Sequence, residues 1–224
     1  MRILQDNKLR YRTKYKFSLK KLILNELISF IGRIFKKKIK NKNLYLNIGC
    51  GENIINNYDN LDFYSISNFF KKKIIMSDIR YPLPFYENSY LGVFCSHTIE
   101  HLDYAHAKQL LNEIKRILKP NGIVRIAVPD LEKYVEFYLN KKPFGEKQKF
   151  NEFYNFYNGC EAIWFLTNYN YHLSLWDKEM LINELKDSGF LNIRVCKFQS
   201  GLDVNLLKDI QVRDHESLYI EASK

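Results

Sequence analysis

A short strand, a glycine turn and a second strand that ends in an acid constrain the fold of this chain more than any other feature. The first strand and the turn span residues 44–51, and the second strand ends at residues 60–62. Glycines after a first parallel strand let backbone N–H groups approach a ligand, and an acid on the neighbouring strand can accept hydrogen bonds from ribose hydroxyls. The pattern predicts a nucleoside-cofactor site. A tight turn with positive φ is the alternative explanation for the glycines.

Further strands and helices follow in alternation, which predicts an α/β fold with a parallel sheet. The later predicted strands span residues 73–78, 90–95, 123–128, 190–198 and 217–222. The predicted helices span residues 105–118 and 178–188, where apolar residues recur at helical spacing. At 224 residues the chain has room for one domain with a sizeable core.

Six motifs along the chain keep the order of a known family. They are Leu-Asn-Ile-Gly-Cys-Gly at 46–51, Asn-Leu-Asp at 60–62, Pro-Leu-Pro-Phe at 82–85, Ile-Glu-His-Leu at 99–102, Arg-Ile-Leu-Lys-Pro-Asn-Gly at 116–122 and Val-Pro-Asp-Leu at 128–131. The chain resembles the class I S-adenosylmethionine (SAM) dependent methyltransferases, in particular the small type 11-like family often associated with bacterial surface-glycan biosynthesis. The resemblance implies a Rossmann-like sheet of seven strands, mostly parallel, with the last strand antiparallel.

Two features depart from the commonest pattern of that class. Asn47 stands where many relatives have an acid, and Asn53 stands where a third glycine often occurs. The connection from Gly51 to Asp62 is also shorter than the roughly dozen residues that a helical crossover needs. We therefore expect a shortened first crossover.

The resemblance implies SAM as the cofactor. Gly49 and Gly51 are expected at its methionine and ribose end, Asp62 at the ribose hydroxyls, and Asp78 with Ile79 at the adenine. The full set of expected cofactor residues is Asn47, Gly49, Cys50, Gly51, Asp62, Asp78, Ile79 and His97. A turn or strand-end cap is the competing explanation for each position.

Methyl transfer to a hydroxyl needs a general base at the carboxyl edge of the sheet. The candidates are His97 and His101 after strand four, Asp130 after strand five, and His172. Histidine suits this role near neutral pH. We favour His172, which follows an aromatic-rich segment and resembles a position retained in the family. The competing explanation is that Glu100 and His101 satisfy backbone groups of a loop.

The cysteines do not indicate a metal site. Cys50, Cys95, Cys160 and Cys196 lie far apart, without metal-ligand spacing. We expect four reduced core thiols in a cytosolic protein, and no metal.

The net charge is concentrated in residues 1–42, which hold 14 Lys and Arg against 2 Asp and Glu. This arm has a net charge of +12. The whole chain has a net charge of +10, so residues 43–224 have a net charge of −2. Its apolar residues 24, 27, 28, 31, 34 and 35 recur at helical spacing, which predicts a basic amphipathic helix. It is too short and polar to span a bilayer, and no signal-peptide cleavage site follows it. We consider three explanations for the arm and favour them in this order: a helix that caps the cofactor site, an interfacial helix on anionic lipid, and a nucleic-acid binding segment.

Residues 133–171 contain 13 aromatic residues between strand five and the next helix. They predict either an aromatic lid over the substrate or a small aromatic core that holds an insertion together. We therefore divide the chain into an N-terminal arm of residues 1–42 and a methyltransferase domain of residues 43–224, with the lid at 133–171.

These features predict a cytoplasmic SAM-dependent methyltransferase that acts on a small or lipid-linked acceptor, with a sugar or glycan-precursor hydroxyl favoured. Peripheral contact with the inner face of the membrane through residues 1–42 is part of this hypothesis. The alternatives are an RNA methyltransferase guided by the basic arm, and a non-catalytic interaction module with the same fold. Asn47 and Asn53 favour the last of these.

Overall fold

A seven-stranded sheet with helices on its faces organises this protein. The computed structural model describes residues 19–35, 37–64, 68, 71, 73–140, 156, 158–169 and 171–224. The strands are β1 (Tyr45–Ile48), β2 (Asp59–Asp62), β3 (Ile74–Met76), β4 (Tyr90–Ser96), β5 (Leu118–Pro129), β6 (Leu191–Cys196) and β7 (Ser217–Ser223). The helices are α1 (Leu19–Ile34), α2 (Tyr104–Ile117), α3 (Leu131–Leu139), α4 (Gly159–Trp164) and α5 (Lys178–Asp187).

The strand order is β3-β2-β1-β4-β5-β7-β6. Strands β1 to β5 pair in parallel, and β7 is antiparallel to both β5 and β6. The predicted Rossmann-like sheet with an antiparallel last strand is confirmed. Because β1 and β4 are neighbours although two strands separate them in sequence, the strand order reverses beside β1, where open α/β sheets bind ligands.

The first crossover has no α-helix, as the short connection predicted. Residues 49–58 form only turns and irregular backbone between β1 and β2. Buried Asn60 stabilises this loop: its side-chain amide donates to the carbonyls of Ile55 and Tyr58, and its oxygen accepts from the backbone of Ile55. A side-chain amide here supplies hydrogen bonds that a helix would otherwise make internally.

The main core lies between the sheet and α2 and α5. The buried face of α2 consists of Ala107, Leu110, Leu111, Ile114 and Ile117, all at helical spacing. The prediction for this helix differs from the structure by one residue at each end. Strand β5 begins at Leu118 rather than residue 123, with a register irregularity opposite residues 90–92.

Part of the predicted aromatic lid is a second core. Tyr134 and Phe137 of α3, which the sequence pattern did not identify as a helix, pack with Phe156, Phe165 and neighbouring aliphatic residues. The aromatic mini-core proposed as the alternative accounts for these rings. Five other aromatic residues of the predicted lid, and the side chain of Tyr169, lie outside the described residues: Phe144, Phe150, Phe153, Tyr154 and Tyr157.

The cysteine prediction was correct at two positions and wrong at another. All four cysteines are free thiols; Cys50 and Cys95 are buried, Cys196 is half-buried, and Cys160 is exposed. Cys160 is exposed because it lies in the first turn of α4, on the side away from buried Ala162. Burial raises the pKa of the Cys50 and Cys95 thiols to about 12.

Arg125 of β5 crosslinks the C-terminal half of the fold, and its side chain is fully buried. The guanidinium donates two hydrogen bonds to Asp209, at 2.8 and 2.5 Å, and one to Glu221 of β7 at 2.8 Å. Its other two bonds go to the carbonyls of Ser200 and Lys197. All five N–H donors are therefore satisfied inside the protein.

No helix among the described ranges has the length and hydropathy needed to cross a bilayer.

Candidate cofactor and acceptor site

The glycine turn after β1 needs glycine at both positions. Gly49 has φ +67° and Gly51 has φ +51°, in the left-handed region that L-residues with side chains rarely adopt. A Cβ at Gly49 would lie 2.1 Å from Thr98 Oγ1, whereas a Cβ at Gly51 would meet nothing within 4 Å. Gly49 is therefore required by packing, and Gly51 leaves open space at the strand tip.

We expect the two glycine-to-alanine variants to behave differently. Gly49→Ala should lower the free energy of unfolding by roughly 2–4 kcal/mol, because strain at positive φ adds to overpacking against Thr98. Gly51→Ala should cost only about 1 kcal/mol of stability, and should instead weaken ligand binding because its methyl group enters the open space. Chemical denaturation and calorimetry test the pair. Equal losses of stability would contradict the assigned roles.

Asp62 lies at the end of β2 and faces the turn. Its Oδ2 accepts a hydrogen bond from the backbone N–H of Gly51 at 2.8 Å, and its Oδ1 accepts one from Phe63 at 2.6 Å. The carboxylate is half-buried and borders a cavity at the tips of the strands. Each oxygen has a second lone pair that a ligand hydroxyl can use.

A cavity of about 510 Å³ opens between the tips of β1, β2 and β4. This volume lies in the range of roughly 300–1,000 Å³ that is usual for small-molecule sites. The cavity is lined by Glu26, Gly49, Gly51, Asp62, Phe63, Asp78, Ile79, Arg80, His97, Thr98, His101, Leu102, Asp103, His106 and Leu173. Six of the eight predicted cofactor residues line it together: Gly49, Gly51, Asp62, Asp78, Ile79 and His97.

Asn47 and Cys50 do not line this cavity. Asn47 is buried, and its amide donates to the carbonyl of Asn53 at 2.9 Å and to Asn60 Oδ1 at 3.0 Å. The backbone N–H of Cys50 donates to the carbonyl of Leu61. Both residues shape the loop behind the glycines, and their direct contact with the cofactor stays a prediction.

Asp78 borders the cavity, but α1 and Arg80 occupy its carboxylate. Oδ2 accepts from Ser29 Oγ at 2.7 Å, from Arg80 at 2.8 Å and from Arg33 at 3.4 Å. Oδ1 accepts from the backbone and the Nε of Arg80. Burial would raise the pKa of Asp78, but these hydrogen bonds hold it below its usual value. An adenine amino group would compete with these donors, so the predicted contact of Asp78 with adenine stays a prediction.

A histidine cluster surrounds Glu100 on the β4 side of the cavity. His97, which follows β4 with φ +49°, places Nδ1 3.4 Å from Glu100 Oε1 and pairs its Nε2 with Ser217 Oγ at 2.8 Å. The rings of His101 and His172 meet edge to face with centroids 5.0 Å apart. The structure therefore brings three of the four predicted base candidates together. His97 and His101 line the cavity, whereas His172 does not.

Glu100 is only 1% exposed, and neither of its oxygens accepts a hydrogen bond from a described residue. Burial would raise its pKa, but His97 and the charges of His101 and His172 hold it below its usual value. Burial lowers the pKa of His172 from 6.5 to about 4, against the attraction of Glu100. The cluster thus combines an ionised buried carboxylate with a neutral His172 at neutral pH.

Asp130 is placed apart from this cluster. Its side chain caps α3 by accepting from the backbone of Glu132 at 3.1 Å, and burial raises its pKa. Asp130 does not line the cavity. Its role as a base stays a prediction, and the role seen in the structure is that of a helix cap.

Several lining residues were not identified from the sequence. Arg80 and Glu26 form a salt bridge of 2.8 Å across the cavity edge, and Asp103 caps α2 while pairing with His106 at 2.8 Å. The spacing from Asp103 to His106 is a detectable helix-start signal. No local signal identifies Glu26, because only the folded chain brings it next to Arg80.

Two sequence comparisons found similar proteins. Residues 46–126 match the family model described as a methyltransferase domain. An uncharacterized protein of Methanocaldococcus jannaschii is 31% identical over 147 residues, which cover 59% of this chain and 59% of that protein. The match thus spans less than two thirds of the relative's length.

Solved structures of other proteins resemble this chain. A SAM-dependent methyltransferase of Thermotoga maritima, described as a possible histamine N-methyltransferase, is similar with a TM-score of 0.51 and 16% identity, covering 92% of this chain and 94% of that one. A SAM-dependent methyltransferase from Archaeoglobus fulgidus is similar with a TM-score of 0.48 and 18% identity, covering 89% of this chain and 94% of that one. The Thermotoga likeness establishes the fold. This chain therefore has the fold of the Thermotoga structure, and its residues 46–126 match the model of a methyltransferase domain.

Proposed function

We propose that this protein transfers a methyl group from SAM to a hydroxyl of a sugar or glycan precursor, either small or lipid-linked. The observation that supports this most is the cavity itself, which has the glycine turn and Asp62 on one wall and His101, backed by buried Glu100, on another. Location in the cytoplasm, with residues 1–42 in contact with the inner membrane face, belongs to the same proposal.

The residues present fit SAM. The open space at Gly51 admits a ligand close to the backbone, and Asp62 has acceptor capacity for two ribose hydroxyls. Bound SAM would supply an electrophilic methyl group on its sulfonium: the acceptor oxygen would bond to the methyl carbon as the carbon–sulfur bond breaks, and S-adenosylhomocysteine would leave. The work of this chain is then to align the acceptor and to receive its proton.

We assign the proton to His101, which lines the cavity and has Glu100 beside it. A buried carboxylate stabilises the imidazolium that forms when His101 takes the hydroxyl proton. His172, favoured from sequence, contacts the ring of His101 and does not line the cavity. A hydroxyl acceptor suits this arrangement because it must lose a proton during the reaction.

The sugar or glycan class of the acceptor rests on the family resemblance, so two alternatives remain for the test. RNA would use the positive charge of residues 1–42, and its binding would weaken steeply with salt. A non-catalytic module would not bind SAM, and the open cavity with Asp62 argues against it.

Asp62→Ala should weaken SAM binding by about 100-fold, since it removes charge-assisted hydrogen bonds to the ribose and releases the Gly51 N–H. Calorimetry with SAM and with S-adenosylhomocysteine measures this. Asp177→Asn is the matched control, because that residue caps α5 through Met180 and lies outside the cavity. Unchanged affinity in Asp62→Ala would refute the ribose assignment.

The acceptor can be found by incubating the protein with SAM and a panel of activated sugars, lipid-linked sugars and short RNAs. Mass spectrometry then detects the addition of one methyl group. Methylation confined to RNA would refute the proposed acceptor class. An absence of SAM binding would refute the proposal that this protein is a SAM-dependent enzyme.

A further inference from the structure

Helix α1 is amphipathic, but it packs with its polar side inward. Within it Ser29 is fully buried, Arg33 is half-buried, and both donate hydrogen bonds to Asp78. Glu26 accepts two bonds from Arg80 Nη2, at 2.8 and 3.0 Å. At Gly32 the helix meets Tyr64 so closely that a Cβ would lie 2.4 Å from the ring. Polar and small residues therefore attach α1 to the domain.

The opposite side of α1 is apolar and faces outward. Seven large apolar side chains are exposed there and just after the helix: Ile23 59%, Leu24 40%, Leu27 52%, Phe30 54%, Ile31 47%, Ile34 62% and Phe35 76%. We call this set the α1 apolar face. Single exposed apolar residues are common, but a contiguous set on one face of one helix marks an interaction surface.

The positive charge around the α1 apolar face indicates what binds there. Lys37, Lys38 and Lys40 follow the α1 apolar face directly and are exposed, and Lys20 and Lys21 lie in the first turn of the helix. An anionic bilayer offers acyl chains to apolar side chains and phosphates to the lysines around them. Nucleic acid would not satisfy five exposed aliphatic residues, because its recognition relies on charge and ring stacking.

We infer that the α1 apolar face docks on an anionic lipid surface. Because Glu26 lines the cofactor cavity from the other side of the same helix, docking places the cavity mouth beside the headgroups. This inference rests on the proposed function for its use, since a lipid-linked acceptor is presented at that depth. The binding itself requires only the residues of α1 and the lysines after it.

The test uses the full chain with vesicles of 30% phosphatidylglycerol in phosphatidylcholine, and with pure phosphatidylcholine as the neutral comparison. Co-sedimentation should show binding to the anionic vesicles that is at least about tenfold tighter and weakens with salt. Leu27→Glu/Phe30→Glu should reduce anionic binding at least about tenfold, because a charge replaces each buried apolar contact. Lys37→Gln/Lys38→Gln should reduce the affinity for anionic vesicles about 25-fold, because each lysine near the surface contributes roughly fivefold in affinity.

Leu191→Glu is the matched control, since Leu191 is 60% exposed on β6. This strand is the opposite edge of the sheet from β3, and Asp78, which contacts α1, follows β3. It should bind vesicles as the wild type does. Calorimetry with SAM confirms that each variant is folded. Equal binding by wild type and Leu27→Glu/Phe30→Glu would overturn the inference.

Other outcomes separate this inference from the proposed function. SAM binding without vesicle binding would overturn lipid docking and leave the enzyme intact. Self-association that Leu27→Glu/Phe30→Glu abolishes, without vesicle binding, would assign the face to a second copy and overturn the inference. Vesicle binding with no methylated sugar in the acceptor screen would refute the acceptor class alone.

Discussion

His101→Ala is expected to lower kcat by about 10²–10⁴-fold while SAM affinity changes by less than about threefold, because general-base catalysis contributes to the transition state and not to cofactor binding. The residue lines the cavity, and its ring contacts His172 at a centroid distance of 5.0 Å. Steady-state kinetics on the acceptor identified by the screen, with calorimetry for SAM, measures both quantities.

Glu100→Gln tests how the carboxylate acts. Since a buried carboxylate stabilises the imidazolium that forms in the transition state, its removal should lower kcat, though less than His101→Ala does, and should leave KM unchanged. A purely structural role for Glu100 would change kcat and KM together. The split between kcat and KM therefore separates positioning from folding effects.

His215→Asn is the control for histidine removal. His215 is half-buried and outside the cavity, and burial lowers its pKa as it does for His172. Its variant should retain kcat within about threefold. A loss as large as that of His101→Ala would indicate a general loss of stability and would count against the assigned base.

Arg125→Met should lower the free energy of unfolding by about 3–5 kcal/mol, because it leaves two buried carboxylates without their counter-charge. Asp209 and Glu221 both have fully buried side chains, so water cannot replace the guanidinium without rearrangement. Urea denaturation followed by circular dichroism measures the loss.

Two further variants isolate the cause. Arg125→Lys keeps the charge but lacks the five-donor fork, and it should fall between the wild type and Arg125→Met. The triple variant Arg125→Met/Asp209→Asn/Glu221→Gln removes the unpaired charges, so it should recover part of the stability. If the triple variant is the least stable of the three, charge desolvation does not explain the effect.

The sheet was predictable from sequence because strand ends carry local signals. Prolines, glycines, acids and, after β4, the polar Ser96 and His97 mark where the parallel strands stop, and apolar runs of a few residues mark the strands themselves. The sequence pattern did not identify α3, which overlaps the aromatic-rich segment interpreted as a lid or a small core. Its Tyr134 and Phe137 are buried against Phe156 and Phe165. Because these partners lie about 20 or more residues further along the chain, the local periodicity does not reveal the contact.

The candidate site was predictable where its residues follow strand tips. Gly49, Gly51 and Asp62 come directly after β1 and at the end of β2, so topology alone places them at one edge. Asp130 also follows a strand, yet it caps α3. Position at a strand end thus selects candidates, and side-chain partners then decide among them.

By itself, the sequence determined the parallel sheet, the glycine turn with its acid and the concentration of positive charge in residues 1–42, since each depends on local patterns or on composition. Only the tertiary structure decided that His101 and His172 meet around Glu100, and that α1 turns its polar side to Asp78 and Arg80 while its apolar side faces outward. These arrangements join residues about 50 to 70 positions apart in sequence, and no local propensity specifies which distant partner satisfies a buried charge.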